Sequence, residues 1–150
     1  MAKKPEFPLL DVAVTLIAHG DRILAVYNPV WGSFTLPMTK RREWQDPKVP
    51  KGKHTEDWLD AAARAGTEWL GRTCSPEFLF DDKGGYQQSD RDGQWKRYHF
   101  QVFRLALEGQ PALVNGAITE WLTPAEFFER RPISPTARYL IGKLQEENLL

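Results

Sequence analysis

Two hydrophobic periods alternate along this chain. Residues 11–18 and 23–27 are dominated by apolar and β-branched side chains, and the turn-forming cluster His19-Gly20-Asp21-Arg22 separates them, which predicts a β-hairpin. Here His19 reads as a turn residue. Residues 31–37 (WGSFTLP) predict a short strand closed by proline, and residues 77–80 a strand start. The strongest strand signal is 95–107, where Tyr98, Phe100 and Val102 face one way and His99, Gln101 and Phe103 the other. Residues 117–122 predict a further strand. Residues 81–85 and 89–93 are turn-rich, and 86–88 is too short to classify.

The period changes to 3.6 in two places. Leu59, Ala62, Ala63, Gly66 and Leu70 recur as one stripe of an amphipathic helix, with Thr55 as its expected N-cap and Gly71 as its C-cap. Asp60, Arg64 and Glu68 step by four beside that stripe, a charge ladder worth a few tenths of a kcal/mol per pair. Ala137, Leu140, Ile141 and Leu144 mark a last helix, entered at Ser134-Pro135 and ending near Glu147. Thr123-Pro124-Ala125-Glu126 is a capping box with proline at the first helical position, and it predicts a short helix over 124–130.

Composition narrows the class. A chain of 150 residues is most simply one domain, with residues 1–8 as a tail. Its net charge is zero, which gives a nucleic-acid partner no special support. One cysteine, Cys74, rules out an internal disulfide framework and fits the cytoplasm. The N-terminal residues lack an apolar signal region, and no run approaches the ~18 apolar residues of a membrane span. The charge is unevenly spread, however. Residues 38–53 carry six Lys or Arg against two acids, and Pro47 and Pro50 predict an irregular basic loop inserted before the helix. Lys40, Arg41 and Arg42 within it could neutralise phosphates; the plainer alternative is a solvated insertion.

The element order is a hairpin, a strand ending Trp31-x4-Leu36-Pro37, a basic loop, a helix, more strands, then Glu120-Trp121-Leu122-Thr123-Pro124 and a closing helix. This resembles the Nudix hydrolase superfamily over most of the chain. The resemblance also rests on Ala61-Ala62-Ala63-Arg64 in the first helix and Ser134-Pro135-Thr136-Ala137-Arg138 at the last. It implies an α/β/α sandwich, an α+β fold whose mixed central sheet carries the box helix and the C-terminal helix. It also implies hydrolysis of nucleoside diphosphate derivatives with Mg²⁺ or Mn²⁺ held by the box G-x5-E-x7-R-E-U-x-E-E-x-G-U, where U is aliphatic.

Aligned on Arg64, the first box glutamate falls on Glu56, one of the paired glutamates on Glu68, and the closing glycine on Gly71. The opening glycine falls on Pro50. The remaining glutamates are Ala65 and Trp69, and the aliphatic position is Gly66. Residues 65, 68 and 69 are neighbours on a helix, so three carboxylates there would make an oxygen-rich site for a hard cation. This chain keeps one. Losing about 4 kcal/mol of transition-state stabilisation slows a reaction roughly a thousandfold. The Nudix resemblance therefore implies catalytic roles for Glu56, Arg64 and Glu68, with Glu68 as metal ligand.

Two functional readings stand. One is a divergent hydrolase with Mg²⁺ or Mn²⁺ on Glu68, an acid recruited from Asp81, Asp82, Asp90 or Asp92, and Lys40, Arg41 and Arg42 on the diphosphate. The other is a metal-free nucleotide-binding or protein- or RNA-interaction module with hydrolysis weak or lost. In that module Trp69, with Trp58, would offer a stacking surface, the plainer alternative being that both are core tryptophans, or Trp44 in the basic loop would meet a partner. His99 reads as a rim residue, because a base needs a partner that spacing does not reveal.

Overall fold

A computed structural model of the chain describes residues 9–48, 52–83, 86–88 (backbone only), 94–111, 113–114, 117–129 and 132–150. The predicted hairpin is β1 (Leu9–His19) and β2 (Arg22–Asn28), turned at Gly20, whose φ of 60° suits glycine. Three short strands follow: β3 (Ser33–Thr35) on β2, β4 (Met38–Lys40) on β1, and β5 (Glu43–Gln45), which pairs with β6 (Lys53–Thr55) in a separate ribbon. Helix α1 is Trp58–Leu70. Then come β7 (Glu77–Asp82), β8 (Tyr86–Gln88), β9 (Trp95–Ala106), β10 (Thr119–Leu122), α2 (Glu126–Glu129) and α3 (Pro135–Glu146).

The main sheet has eight strands in the order β10-β2-β1-β9-β7, with β3, β4 and β8 attached to β2, β1 and β9. β1 and β9 run parallel and the other pairs antiparallel, so the sheet is mixed, as expected. Strand alternation sends successive residues of β1 to opposite layers. Val12, Val14 and Leu16 join Phe100, Val102, Leu140, Ile141 and Leu144 under α3. Ala13 meets Ala61, Ala62 and Phe103 under α1, while Ile17 packs with Leu24, Val26 and Leu70. The result is the α/β/α sandwich, with the two faces of β9 dividing as its alternation predicts. Among the described residues no helix is long and apolar enough to cross a membrane.

Three expectations need correction. First, the N-cap of α1 is Asp57, and Thr55 lies in β6 opposite Glu43. Backbone pairing with β5 holds Thr55 extended, which leaves the cap to a later residue. Gly71 does close the helix, with φ 67° and its N–H donating to the Thr67 carbonyl. Second, the buried stripe of α1 is Ala61, Ala62, Ala65, Gly66 and Leu70, whereas Leu59 is 49% exposed. Small residues let the helix axis approach the sheet, and the buried Thr15 hydroxyl donates to the Ala62 carbonyl at 2.7 Å. That close approach selects alanine and glycine over leucine at the contact. Third, much of the basic segment is ordered as β4, β5 and β6, with Val49, Pro50 and Lys51 outside the described residues. Strands of three residues are set by their partners, which periodicity cannot show.

Asp81 and Asp82 lie in β7 instead of a loop, and Asp90 and Asp92 fall outside the described residues. Residues 86–88, unclassified from sequence, form β8 on β9. The capping box and the Ser134 cap form as predicted. Thr123 and Glu126 exchange hydrogen bonds, and the Ser134 hydroxyl accepts from the Ala137 N–H at 3.1 Å.

Candidate active site and ligand cleft

Strands β2 and β4 share one edge of β1 and diverge along it. β2 is paired at Ala18 and His19, β4 at Val12 to Val14, and between them Thr15 donates its N–H to the Pro37 carbonyl at 2.9 Å. The chain from β2 through β3 to β4 therefore bends around an opening in the sheet, and the C-terminal turns of α1 close its side. This opening is a cleft of about 260 Å³, lined by Tyr27, Asn28, Trp31, Met38, Glu68 and Trp69 and by residues 35–37. Val26 forms part of its floor.

The box residues divide into two groups. Glu56 and Arg64 form a bidentate pair, with Nε donating to Oε2 at 3.2 Å and Nη2 to Oε1 at 2.9 Å. Arg64 also donates to the Thr39 hydroxyl and the Lys40 carbonyl, each at 2.9 Å. Glu56 accepts from the Arg42 N–H and donates its own N–H to the Arg42 carbonyl. The Arg64 hydrogen bond holds the Glu56 carboxyl below its ordinary range, against a smaller opposing effect of burial. Helix side chains lean toward the N-terminus, and Arg64 reaches back to Glu56 instead of forward to Glu68. Among the described residues the expected Asp60–Arg64–Glu68 ladder is not formed.

Glu68 and Trp69 lie one turn further on, at the cleft. Trp69 is partly buried against Ile17, Leu24 and Val26. Ala65 is 1% exposed beneath the helix. The cleft therefore presents one helix carboxylate, Glu68, which is exposed and makes no hydrogen bond or ion pair among the described residues. Nor do those residues contain a group of three or more His, Cys, Asp or Glu placed to hold a metal ion. A single carboxylate beside an indole does not fit a Mg²⁺ ion, which demands near-octahedral oxygen coordination.

The basic residues do not line the cleft. Arg41 is held by Asp11 at 2.9 Å, by the Glu56 carbonyl at 2.8 Å, and over the Trp58 ring at 4.6 Å. Lys40, at the end of β4, and Arg42, two residues beyond it, are exposed and lead away from Met38. Trp58 does not share a surface with Trp69. It packs edge-on to His99, about 16 Å along the helix. Trp44 is 50% exposed and rests on His54 at 4.6 Å between ring centroids.

His99 has the partners that spacing concealed. Its Nε2 lies 2.6 Å from Asp81, and its Nδ1 3.6 Å from Asp11. Asp82 accepts instead from Tyr139 on α3 at 2.8 Å. Asp81 and Asp82, the two candidate metal acids among the described residues, are thus engaged with His99 and Tyr139. Sequence reasoning also missed Tyr27, Trp31 and Met38 as cleft residues, since only the divergence of β2 and β4 brings them to Trp69.

No family model matches the sequence, and no curated protein matches it. Solved structures do. The MutT protein from Methanosarcina mazei Go1 superposes with a TM-score of 0.68 at 17% identity, covering 97% of this chain and 99% of that one. A MutT NUDIX hydrolase from Burkholderia pseudomallei gives 0.61 at 17% identity, over 90% and 97%. The C-terminal domain of mouse MUTYH, solved in complex with human PCNA, gives 0.58 at 18% identity, over 93% and 88%. The architecture is that of the Nudix hydrolases. This chain has the Nudix fold, with a cleft at the place where β2, β4 and the box helix meet.

Proposed function

We propose that the chain is a Nudix-fold protein that binds a nucleotide or nucleoside diphosphate derivative, with metal-dependent hydrolysis weak or lost. The cleft wall carries this reading: it combines Trp69 with a lone Glu68, while Ala65 is buried. Glu56 and Arg64 pair with each other, and Arg64 ties the helix to β4 through Thr39 and the Lys40 carbonyl. Lys40 and Arg42, exposed two and four residues beyond Met38, supply charge for a diphosphate leaving the cleft, whereas Arg41 is committed to Asp11. The single cysteine, Cys74, half-buried and with no intrachain disulfide partner, supports a cytoplasmic setting.

The test compares turnover with binding. Nucleoside triphosphates, nucleotide sugars and dinucleoside polyphosphates incubated with Mg²⁺ or Mn²⁺ should show little hydrolysis. Calorimetry in metal-free buffer should show micromolar binding of at least one nucleoside diphosphate derivative. Robust metal-dependent turnover that disappears in Glu68→Gln would overturn the reading in favour of a hydrolase.

A further inference from the structure

The cleft has an electrostatic character opposite to that of a phosphate site. Three aromatic side chains, Tyr27, Trp31 and Trp69, line it together with Met38. Its one charged lining group is the Glu68 carboxylate, with no lysine or arginine among the described lining residues. A phosphate placed there would meet a like charge, with no guanidinium or ammonium among the described lining residues to offset it. A π-face, by contrast, attracts cations through its quadrupole, most strongly for indole, and an adjacent carboxylate adds direct Coulomb attraction. Thioether sulfur also packs well against aromatic and methylated groups.

We infer that the cleft receives an organic cation, a ligand group with fixed positive charge such as an N-alkylated heteroaromatic ring or a quaternary ammonium. The indole of Trp69 supplies the π-face and Glu68 the counter-charge, in the place where three carboxylates would hold a metal. This rests on the cleft being the ligand site proposed above, and it specifies the moiety that enters. The ligand's diphosphate lies outside, toward Lys40 and Arg42. A hydrated divalent ion needs several oxygen donors, but a poorly hydrated organic cation needs only faces and one charge. The replacement of carboxylate by tryptophan at residue 69 is then a change of cation, from inorganic to organic.

The experiment is a metal-free titration, with chelator present, of 7-methylguanosine 5′-diphosphate against guanosine 5′-diphosphate. The two share their phosphates and differ by a methyl group and a fixed positive charge. The methylated, cationic nucleotide should bind about fivefold to tenfold tighter, matching a cation–π contact of ~1 kcal/mol. In Glu68→Gln that preference should shrink toward parity while circular dichroism and unfolding midpoint stay unchanged. Trp69→Leu should remove it. Equal affinities in the unaltered protein, or a preference that Glu68→Gln leaves intact, would overturn the cation inference and leave nucleotide binding standing. If neither nucleotide binds, the nucleotide reading fails, and choline against the neutral isostere 3,3-dimethylbutan-1-ol decides the inference alone. A choline-specific shift of the Trp69 indole resonance upholds it; no shift, or the same shift with both, ends it.

Discussion

Gly66 marks a close approach of α1 to its surroundings. A Cβ built there would lie 2.8 Å from the Cys74 sulfur and 3.6 Å from the Thr15 methyl. A larger side chain has no room at this position unless Cys74 shifts, so the glycine is a packing requirement. Alanine would gain about 1 kcal/mol of helix propensity, but overpacking costs about 1–3 kcal/mol. Urea unfolding of Gly66→Ala should show a net loss of about 1 kcal/mol. In a Cys74→Ala background the same change should be neutral or stabilising. A cost that persists in the double variant would show that the sulfur is not the obstacle. At this scale the sequence was partly legible. Spacing paired Glu56 with Arg64 and placed Gly71 at the helix end. It could not show that Ala65 is buried, or that Leu59 is not, because both follow from how near the helix sits to the sheet.

The elements are fastened by a few polar ties across their ends. Arg64 joins α1 to β4 through Thr39, the Lys40 carbonyl and Glu56, whose side chain is 11% exposed. Lysine cannot reproduce the planar fork, so Arg64→Lys should cost about 1–3 kcal/mol. The pH dependence has a definite sign. The lowered Glu56 carboxyl stabilises the fold fully above the ordinary glutamate range, and that stability is lost as pH falls through its lowered value. Glu56→Gln should therefore flatten the acid limb of a stability–pH profile measured by urea unfolding. At the other face, burial and the bond to Asp82 push the Tyr139 hydroxyl up to about 12. A raised value acts in the opposite sense: its contribution is intact below about pH 10 and fades as pH rises toward 12. Tyr139→Phe should remove that alkaline decline, read from unfolding midpoints between pH 9 and 12. Long strands and capped helices were legible as elements because their periods and caps are local. The three-residue strands β4 to β6 were not, since pairing with β1 and with each other defines them.

For the whole molecule, the sheet is a partition that carries a different cluster on each side, and β1 and β9 form its centre. Their parallel register runs from Leu9 opposite Arg97 to Ala18 opposite Ala106. The sandwich class was legible from element order, while the divergence of β2 and β4 that opens the cleft was not, because it depends on which part of β1 each strand takes. The central pairing also has a consequence for biosynthesis. A nascent chain leaves the backbone edge of β1 that pairs with β9 unsatisfied until β9 has left the ribosome. Local hairpins form cheaply, but closing so long a loop costs entropy before any contact compensates it. Nascent chains stalled with residues 1–93 emerged should remain open to protease, and full-length released chains should resist it. A resistant core in the stalled species would show that the hairpin and α1 can assemble without β9. Until then the growing chain depends on whatever shields the unpaired edge of β1 at the tunnel exit.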